Sequence, residues 1–540
     1  MRKGPIGSLV VVVALALASP LAAATHYVDC ANGDDAAAGV HPDRAWASLD
    51  RLNAIALEPG DTILLRRGTR CRGSLRPSGS GVEGAPITLD AYGIGVPPVI
   101  DAADAPAAIE LFNQQYWHLR NVETVGGNPY GIHVSGNLPG VLRHFRIVDV
   151  IVHGVRGTVT NKESGLIVVS PGAAATTFED VIIDGALAYD STQWAGILVG
   201  GDDFGGTPTS PRSRNVTVRN STVHDVHGDG IVLYQVNQGV IETSVVHDTG
   251  LNPSPAVGTP NGIWTWMCGD CVVQFNEGYR TGSPGVDGGV FDIDYGCSNN
   301  VVQYNYAHDA DAYCVAVFGA YWTTTDSVIR YNVCANNARD ASKAWQGDIY
   351  VLTWAGGALD GLEIYNNTIV WSPAVEAYAV NLKGARLIGS GPRRFLNNLI
   401  FSDVPQLIDA SSAAGMQIDH NLYWHAGTAA PLWRLDAVES TLTDWRFGGH
   451  DANGRYADPR LADPRREHSA GPTPAFAPSA GSPAIDAGAE LGAMGAHDFA
   501  GREIPHGRAH DVGALEWRAR STPGNSGWFR KSPRHLRQQR

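Results

Sequence analysis

The chain has 540 residues and a formal net charge of −14, and its 63 glycines outnumber its 40 lysines and arginines. An acidic, glycine-rich chain argues against nucleic acid or an anionic membrane as partner, because both select basic surfaces. Single cores usually stop growing at about 250–300 residues, so this length implies several domains or one elongated repeat array.

The first 24 residues, MRKGPIGSLVVVVALALASPLAAA, combine a basic start, an apolar run from Ser8 to about Ala18 and small residues at 22–24. This pattern predicts a signal peptide cut before Thr25. The run is shorter than the ~20 residues a membrane span needs. The mature protein is therefore expected to be secreted, periplasmic or extracellular, without a membrane partner.

Residues 25–105 read as an N-terminal capping module with the first rungs of a repeat. Apolar residues at helical spacing run from Trp46 to Leu57, Pro59-Gly60 stops them, and Thr62–Leu65 reads as a strand. Repeat arrays need such end caps.

Residues 106–425 carry the repeat. Segments such as VRNSTVHD (from Val218), VQFNEGYR (from Val273), VQYNYAHD (from Val302) and EIYNNTIV (from Glu363) align, with neighbouring copies some 23 to 36 residues apart. Asparagine recurs at one column: Asn220, Asn276, Asn305, Asn332, Asn366, Asn397 and Asn421. Inside a coil, a stacked amide bonds to its own turn and to the next, satisfying buried backbone. Most copies are preceded by a short strand opening with Gly plus an aliphatic, as at Gly196-Ile197, Gly230-Ile231 and Gly262-Ile263. Short strands without intervening helices predict an all-β solenoid. The period implies three strands per turn, hence a right-handed parallel β-helix of about ten rungs. Residues 426–518, rich in Pro and Ala, read as a C-terminal cap that folds back on the last rung. Residues 519–540 read as a disordered basic tail.

The opening YVDC…PGDTILLRRG (Tyr27 to Gly68) and the NVVQYNYAHD-type repeats (Asn300 to Asp309) resemble the pectin-lyase-like superfamily of right-handed parallel β-helix proteins over roughly residues 25–425. The resemblance implies that fold and a secreted carbohydrate-active enzyme, either a polysaccharide lyase or a glycoside hydrolase. The SPAIDAG (Ser482 to Gly488) and HDVGALEW (His510 to Trp517) segments resemble endings found in such proteins. The Asp-Asp and Gly-His-Gly motifs of polygalacturonases and a lyase signature are both absent, so no residue role is carried over.

Seven cysteines in an exported chain suggest disulfides. Cys30 and Cys71 lie in the opening module and are expected to pair. Cys268 and Cys297 occupy one repeat position, and rungs ~4.8 Å apart suit a rung-to-rung bridge. Structural zinc would need a second close ligand pair, so no metal site is assigned.

The candidate site follows from strand faces. In the Gly-plus-aliphatic strands the aliphatic points inward, which turns Tyr234, Trp264 and Trp266 outward. In Val290–Tyr295 two registers compete. One buries Asp292 in the core; the other buries Phe291 and Ile293 and turns Asp292 and Asp294 to water. An unpaired buried carboxylate costs several kcal/mol, which selects the second. Asp292 is then level with Trp264, and Asp294 with Trp266. Alternate residues lie ~6.6 Å apart along a strand, so their carboxyls fit the ~5–9 Å window of glycosidase pairs. Asp292 and Asp294 are the expected catalytic pair, with His308 and Arg280 nearby. Trp264, Trp266, Tyr234, Asp287, Tyr350 and Lys383 are the expected substrate contacts. His224, His247 and His308 share a column, each followed by Asp. The function expected is a glycoside hydrolase acting as a monomer on a polysaccharide or oligosaccharide, without cofactor. One alternative is a lyase with Arg280, Lys343 or Lys383 as base and Ca²⁺ as a possible aid. The other is a non-catalytic glycan-binding protein. A solvated strand face or a structural Ca²⁺ site are the competing readings of Phe291–Asp294.

Overall fold

A computed structural model describes residues 23–519 apart from 173–175, 202–206, 252–257, 467–470, 472, 474 and 493. Residues 1–22 of the expected signal peptide and nearly all of the basic tail lie outside the described residues.

Three long sheets run the length of the molecule, two of 14 strands and one of 13. From Ile109 onward each full turn of the chain adds one strand to each sheet, and the paired strands are parallel except Leu432–Leu435 with Val438–Ser440, which ends the third sheet. The first sheet starts at Thr25–Val28, the second at Arg70–Arg72 and the third at Ile109–Phe112. The coil therefore has more rungs than the ten expected. The added rungs sit mainly at the start, where Thr25–Val28, Thr62–Arg66 and Ile87–Tyr92 already pair as first-sheet strands without the asparagine that marks later copies. Inward aliphatics fill the lumen, and strands buried on the inner face alternate accordingly.

The expected helix over Trp46–Leu57 shortens to Leu49–Asn53, capped by Ser48, whose Oγ accepts from the Arg51 N–H at 3.4 Å. Leu49 and Leu52 face the core. Beyond it the backbone is drawn into a pairing between Ala56 and Ser78, which ends the helix.

The asparagine column is an interior amide ladder, shifted from the expected one at both ends. Its members are Asn276, Asn305, Asn332, Asn367, Asn398 and Asn421, each Nδ2 donating to the next Oδ1 at 3.0–3.2 Å. Asp451 closes it, accepting from Asn421 Nδ2 at 2.9 Å. In the first rungs Ser221 and Ser244 take the position, with Ser244 N donating to Asn276 Oδ1 at 3.0 Å. Asn220, Asn366 and Asn397 are thus corrected: each is one residue early and turns outward.

Asn366 and Asn397 instead hold the C-terminal segment. Asn366 Nδ2 donates to Asp511 O at 2.9 Å, and Asn397 Nδ2 to Ala489 O at 2.9 Å. The region around Trp445 and Asp451 covers the last rung. From about residue 457 the chain runs back along the flank, where Phe476, Val512 and Leu515 pack on Tyr306, Val333 and Leu399. The exposed apolar outer face of those rungs explains why the segment lies there and not only over the end.

Cys30 and Cys71 are bonded. Cys268 and Cys297 are not, which corrects the expected rung-to-rung bridge. Cys268 Sγ donates to Leu233 O at 3.2 Å, and the Cys268 N–H donates to Cys297 Sγ at 3.3 Å, so the thiols serve the neighbouring backbone. The second bridge is Cys314–Cys334, which joins the third sheet to the second across the lumen.

Candidate functional site

The third sheet positions the site. Its strands Ile231–Tyr234, Ile263–Trp266, Phe291–Ile293, Val315–Ala320, Ile349–Trp354 and Val380–Gly384 stack in that order. Ile263 pairs with Phe291, Trp264 with Asp292 and Thr265 with Ile293. Phe291 and Ile293 are in the lumen, and Trp264 and Asp292 are on the outer face. The strand thus adopts the register in which the carboxylates avoid the core. Following Asp292 along its column, the next rungs present Ala316, Tyr350 and Asn381. Ala316 projects nothing beyond Cβ, which leaves room between Asp292 and Tyr350.

That room is roofed, which corrects the expectation that both acids face water: Asp292 is 2 % exposed and Asp294 9 %. A cavity of about 480 Å³ opens over them, lined by Lys162, Asn261, Trp264, Asp287, Tyr295, Phe318, Trp345 and Tyr350, among others. Its size is that of a small-ligand pocket. The roof is the loop 282–289. Lys343 pins it by donating to Ser283 O at 2.6 Å, and Gln346 donates to Val286 O. Lys343, an expected lyase base, is buried and paired with Asp340 at 3.0 Å, so its place is structural.

Asn261 ties roof to floor. Its Oδ1 accepts from Gly288 N at 3.2 Å, Gly289 N at 3.1 Å and Tyr313 OH at 2.9 Å. Three donors fix the amide orientation, so Nδ2 must point to Asp292 Oδ2, 3.4 Å away. Asp292 Oδ1 is buried without a hydrogen-bond partner. Its carboxyl is raised well above the usual carboxylate range, first by burial and then by the charge of Asp294. Asp294 is raised as well, again by burial, against the Tyr295 N–H that it accepts at 2.8 Å. Burial pushes Asp287 up to about 6, opposed by the Thr259 hydroxyl and the charge of Lys162. Three acids of raised pKa therefore share one pocket.

Lys162 was not picked out by the repeat pattern. It arrives on the connection before Gly165–Pro171 and is buried, with its ammonium 5.2 Å from the Trp194 ring and 5.0 Å from the Trp264 ring. Its rarity was the available signal, since the sequence has only five lysines. Trp194 in turn donates to Asp229 Oδ2 at 2.5 Å, and Asp229 Oδ1 accepts from Asn261 N at 2.9 Å. A buried acid thus anchors both the indole under the lysine and the asparagine under the roof.

The other expected residues divide. Trp264, Asp287 and Tyr350 line the pocket. Trp266 and Tyr234 are fully buried beneath it, in edge-on contact at 5.7 Å, and support Trp264 instead of meeting a ligand. Lys383 sits three rungs beyond Asp292, 3.4 Å from Asp409. His308 and Arg280 are on a different flank. His308 lies in the second sheet, where its ring ends a stack through His153, Tyr189, His224, His247 and Tyr279. Asp309 and Glu277 hold its two ring nitrogens at 2.8 and 3.3 Å. Arg280 forks onto Asp248 at 2.5 and 2.8 Å beside that stack. Proximity to Asp294 in sequence misplaced both. Among the described residues no three His, Cys, Asp or Glu side chains are grouped to hold a metal ion.

A family profile described as "Right handed beta helix region" matches residues 164–369. The lacto-N-biosidase of Bifidobacterium longum subsp. longum is 23% identical over 602 aligned positions, which cover 91% of this chain and 36% of that protein. Two crystal structures of a GH136 lacto-N-biosidase from Eubacterium ramulus superpose over 68% of this chain and 67% of theirs. The native form gives a TM-score of 0.56 at 21% identity, and the selenomethionine form 0.55 at 19%. The chain is a right-handed parallel β-helix. It spans about a third of the length of the Bifidobacterium relative.

Proposed function

We propose that this β-helix protein is a glycoside hydrolase acting on a neutral oligosaccharide. The observation that carries the reading is the roofed pocket whose floor is an outward acid pair held protonation-ready by burial. Asp292, whose carboxyl burial and the neighbouring Asp294 charge raise well above the usual carboxylate range, holds its proton and donates it to the leaving glycosidic oxygen. Asp294, itself raised to about 8, takes the part of base or nucleophile at the anomeric carbon in its ionised form, which the positive charge developing on the sugar ring favours. Trp264 and Tyr350 offer apolar ring surface to the sugar's C–H faces. A uronate would bring a further carboxylate beside Asp287, Asp292 and Asp294, whose raised pKa values already record the cost of negative charge in this pocket, which disfavours acidic glycans and the lyase alternative. The similarity to a lacto-N-biosidase supports a hydrolase and suggests lacto-N-bioside units as the first substrates to try.

A second acid–base pairing has its own support. Asp287 is held at about 6, close to the ideal for a general acid near neutrality, and it approaches from the roof, across the pocket from Asp294. The test is a glycan panel read both by new reducing ends and by ultraviolet absorbance of unsaturated products. Reducing ends without absorbance support hydrolysis, and absorbance sinks it. Asp294→Asn is expected to lower kcat at least about 10³-fold. Whichever of Asp287→Asn and Asp292→Asn removes the alkaline limb of the pH profile identifies the acid.

A further inference from the structure

Outside the pocket mouth an aromatic wall continues along the same sheet. Tyr295, Phe318 and Trp354 line the pocket at that edge, with Trp354 5.9 and 5.6 Å from the other two between ring centres. Tyr295 also meets Tyr321 at 5.8 Å. Trp354 is 40 % exposed and Tyr321 65 %. Tyr321 sits in the two-residue bend between Val315–Ala320 and Thr323–Arg330, and Trp354 ends its strand. Large exposed aromatics in one contiguous run are uncommon on a solvated surface and mark a contact site.

We propose that Tyr321, joined to the pocket's rim by Tyr295 and Trp354, forms an outer subsite that carries the part of a neutral glycan chain lying beyond the pocket. This rests on the hydrolase reading and extends it to a substrate longer than the pocket can enclose. Continuity decides the occupant. A ligand on this wall leads over Tyr295 onto the acids, and that floor suits a hydroxyl-rich chain better than an apolar protein surface. The cations of the following rung are already bound. Arg386 donates to Gly356 O at 3.3 Å and Gly357 O at 3.2 Å, and Lys383 faces Asp409. Nothing on the wall selects a charged sugar.

The experiment compares kcat/KM of the full chain and of Tyr321→Ala on two probes. One is an aryl lacto-N-bioside. The other is a neutral oligosaccharide with the same disaccharide at its end and at least two further hexoses. The loss on the longer probe is expected to exceed that on the shorter by about tenfold, through KM, as removal of one stacking ring would give. Tyr321→Phe, which keeps the ring, is expected to restore it. Equal losses on both probes, or none, overturn the subsite. Should the unaltered chain cleave neither probe, the hydrolase reading fails, and binding of the longer probe by calorimetry tests the wall alone. Binding weakened by Tyr321→Ala then supports it, and absent or unaltered binding overturns it. A change of oligomeric state in Tyr321→Ala would assign the wall to self-association and also overturn it.

Discussion

Replacing Asp292 with Asn should stabilise the protein at neutral and alkaline pH while lowering kcat by about 10²–10⁴-fold. The side chain is 2 % exposed, has one 3.4 Å donor in Asn261, and leaves Oδ1 without a partner. Its carboxyl therefore stays protonated in the folded chain well above the range where the unfolded chain releases the proton. The folded state then binds one more proton than the unfolded state. Stability falls with pH in that window by about 1.4 kcal/mol per unit from this residue alone. Below the ordinary carboxylate range both states are protonated and the term vanishes. Asn is isosteric with the protonated acid, still accepts from Asn261, and has no proton to lose. Urea unfolding between pH 4 and pH 8 reads the difference. The curves of the two proteins should lie together near pH 4 and separate as pH rises, with the variant the more stable. A variant that is less stable at pH 8, or a gap that does not change with pH, would show that Asp292 is charged and paired in the fold, and the acid role assigned to it would go.

Asn332→Ala should cost about 3 kcal/mol in urea unfolding, because the Asn305 N–H, the Asn305 amide and Val302 O each lose a buried partner; a loss under about 1 would mean the ladder is not what holds the rungs. His308→Ala should leave kcat/KM within about twofold on any substrate, since the ring belongs to the stack on the second sheet, although its loss between Asp309 and Glu277 should lower stability by about 1–3 kcal/mol. Gly289→Ala should lower kcat/KM by more than tenfold at a stability cost of about 1–3 kcal/mol. Its Cβ would stand 2.0 Å from the Tyr313 ring, which must then withdraw its hydroxyl from Asn261.

The sequence exposed the coil because a solenoid repeats its physics at every turn. A column of aliphatics fixes each register against its neighbour, and the cost of a buried unpaired carboxylate settled the one ambiguous strand in favour of Phe291 and Ile293. Periodicity fails where the repeat offers two equal choices. Asn366-Asn367 and Asn397-Asn398 are both doublets, and only the three-dimensional turn decides which amide enters the ladder. It fails again across the lumen, since aligning rungs compares vertical neighbours and Cys314–Cys334 is a lateral pair.

The same limit explains the site. Residues on one strand and on its vertical neighbours were legible, so Trp264, Asp292 and Tyr350 were brought together correctly. His308 and Arg280 follow or precede the acids closely in sequence, yet a fraction of a turn carries the chain to another sheet. Lys162 and Asn261 come from connections, which obey no period, and they are what convert an open strand face into a closed pocket. Roofing is also what changes the chemistry: on an open face the two acids would be hydrated and of ordinary pKa, whereas under the loop 282–289 burial raises both. The fold sets the acids side by side, and the aperiodic segments supply the lysine, the amide and the roof around them.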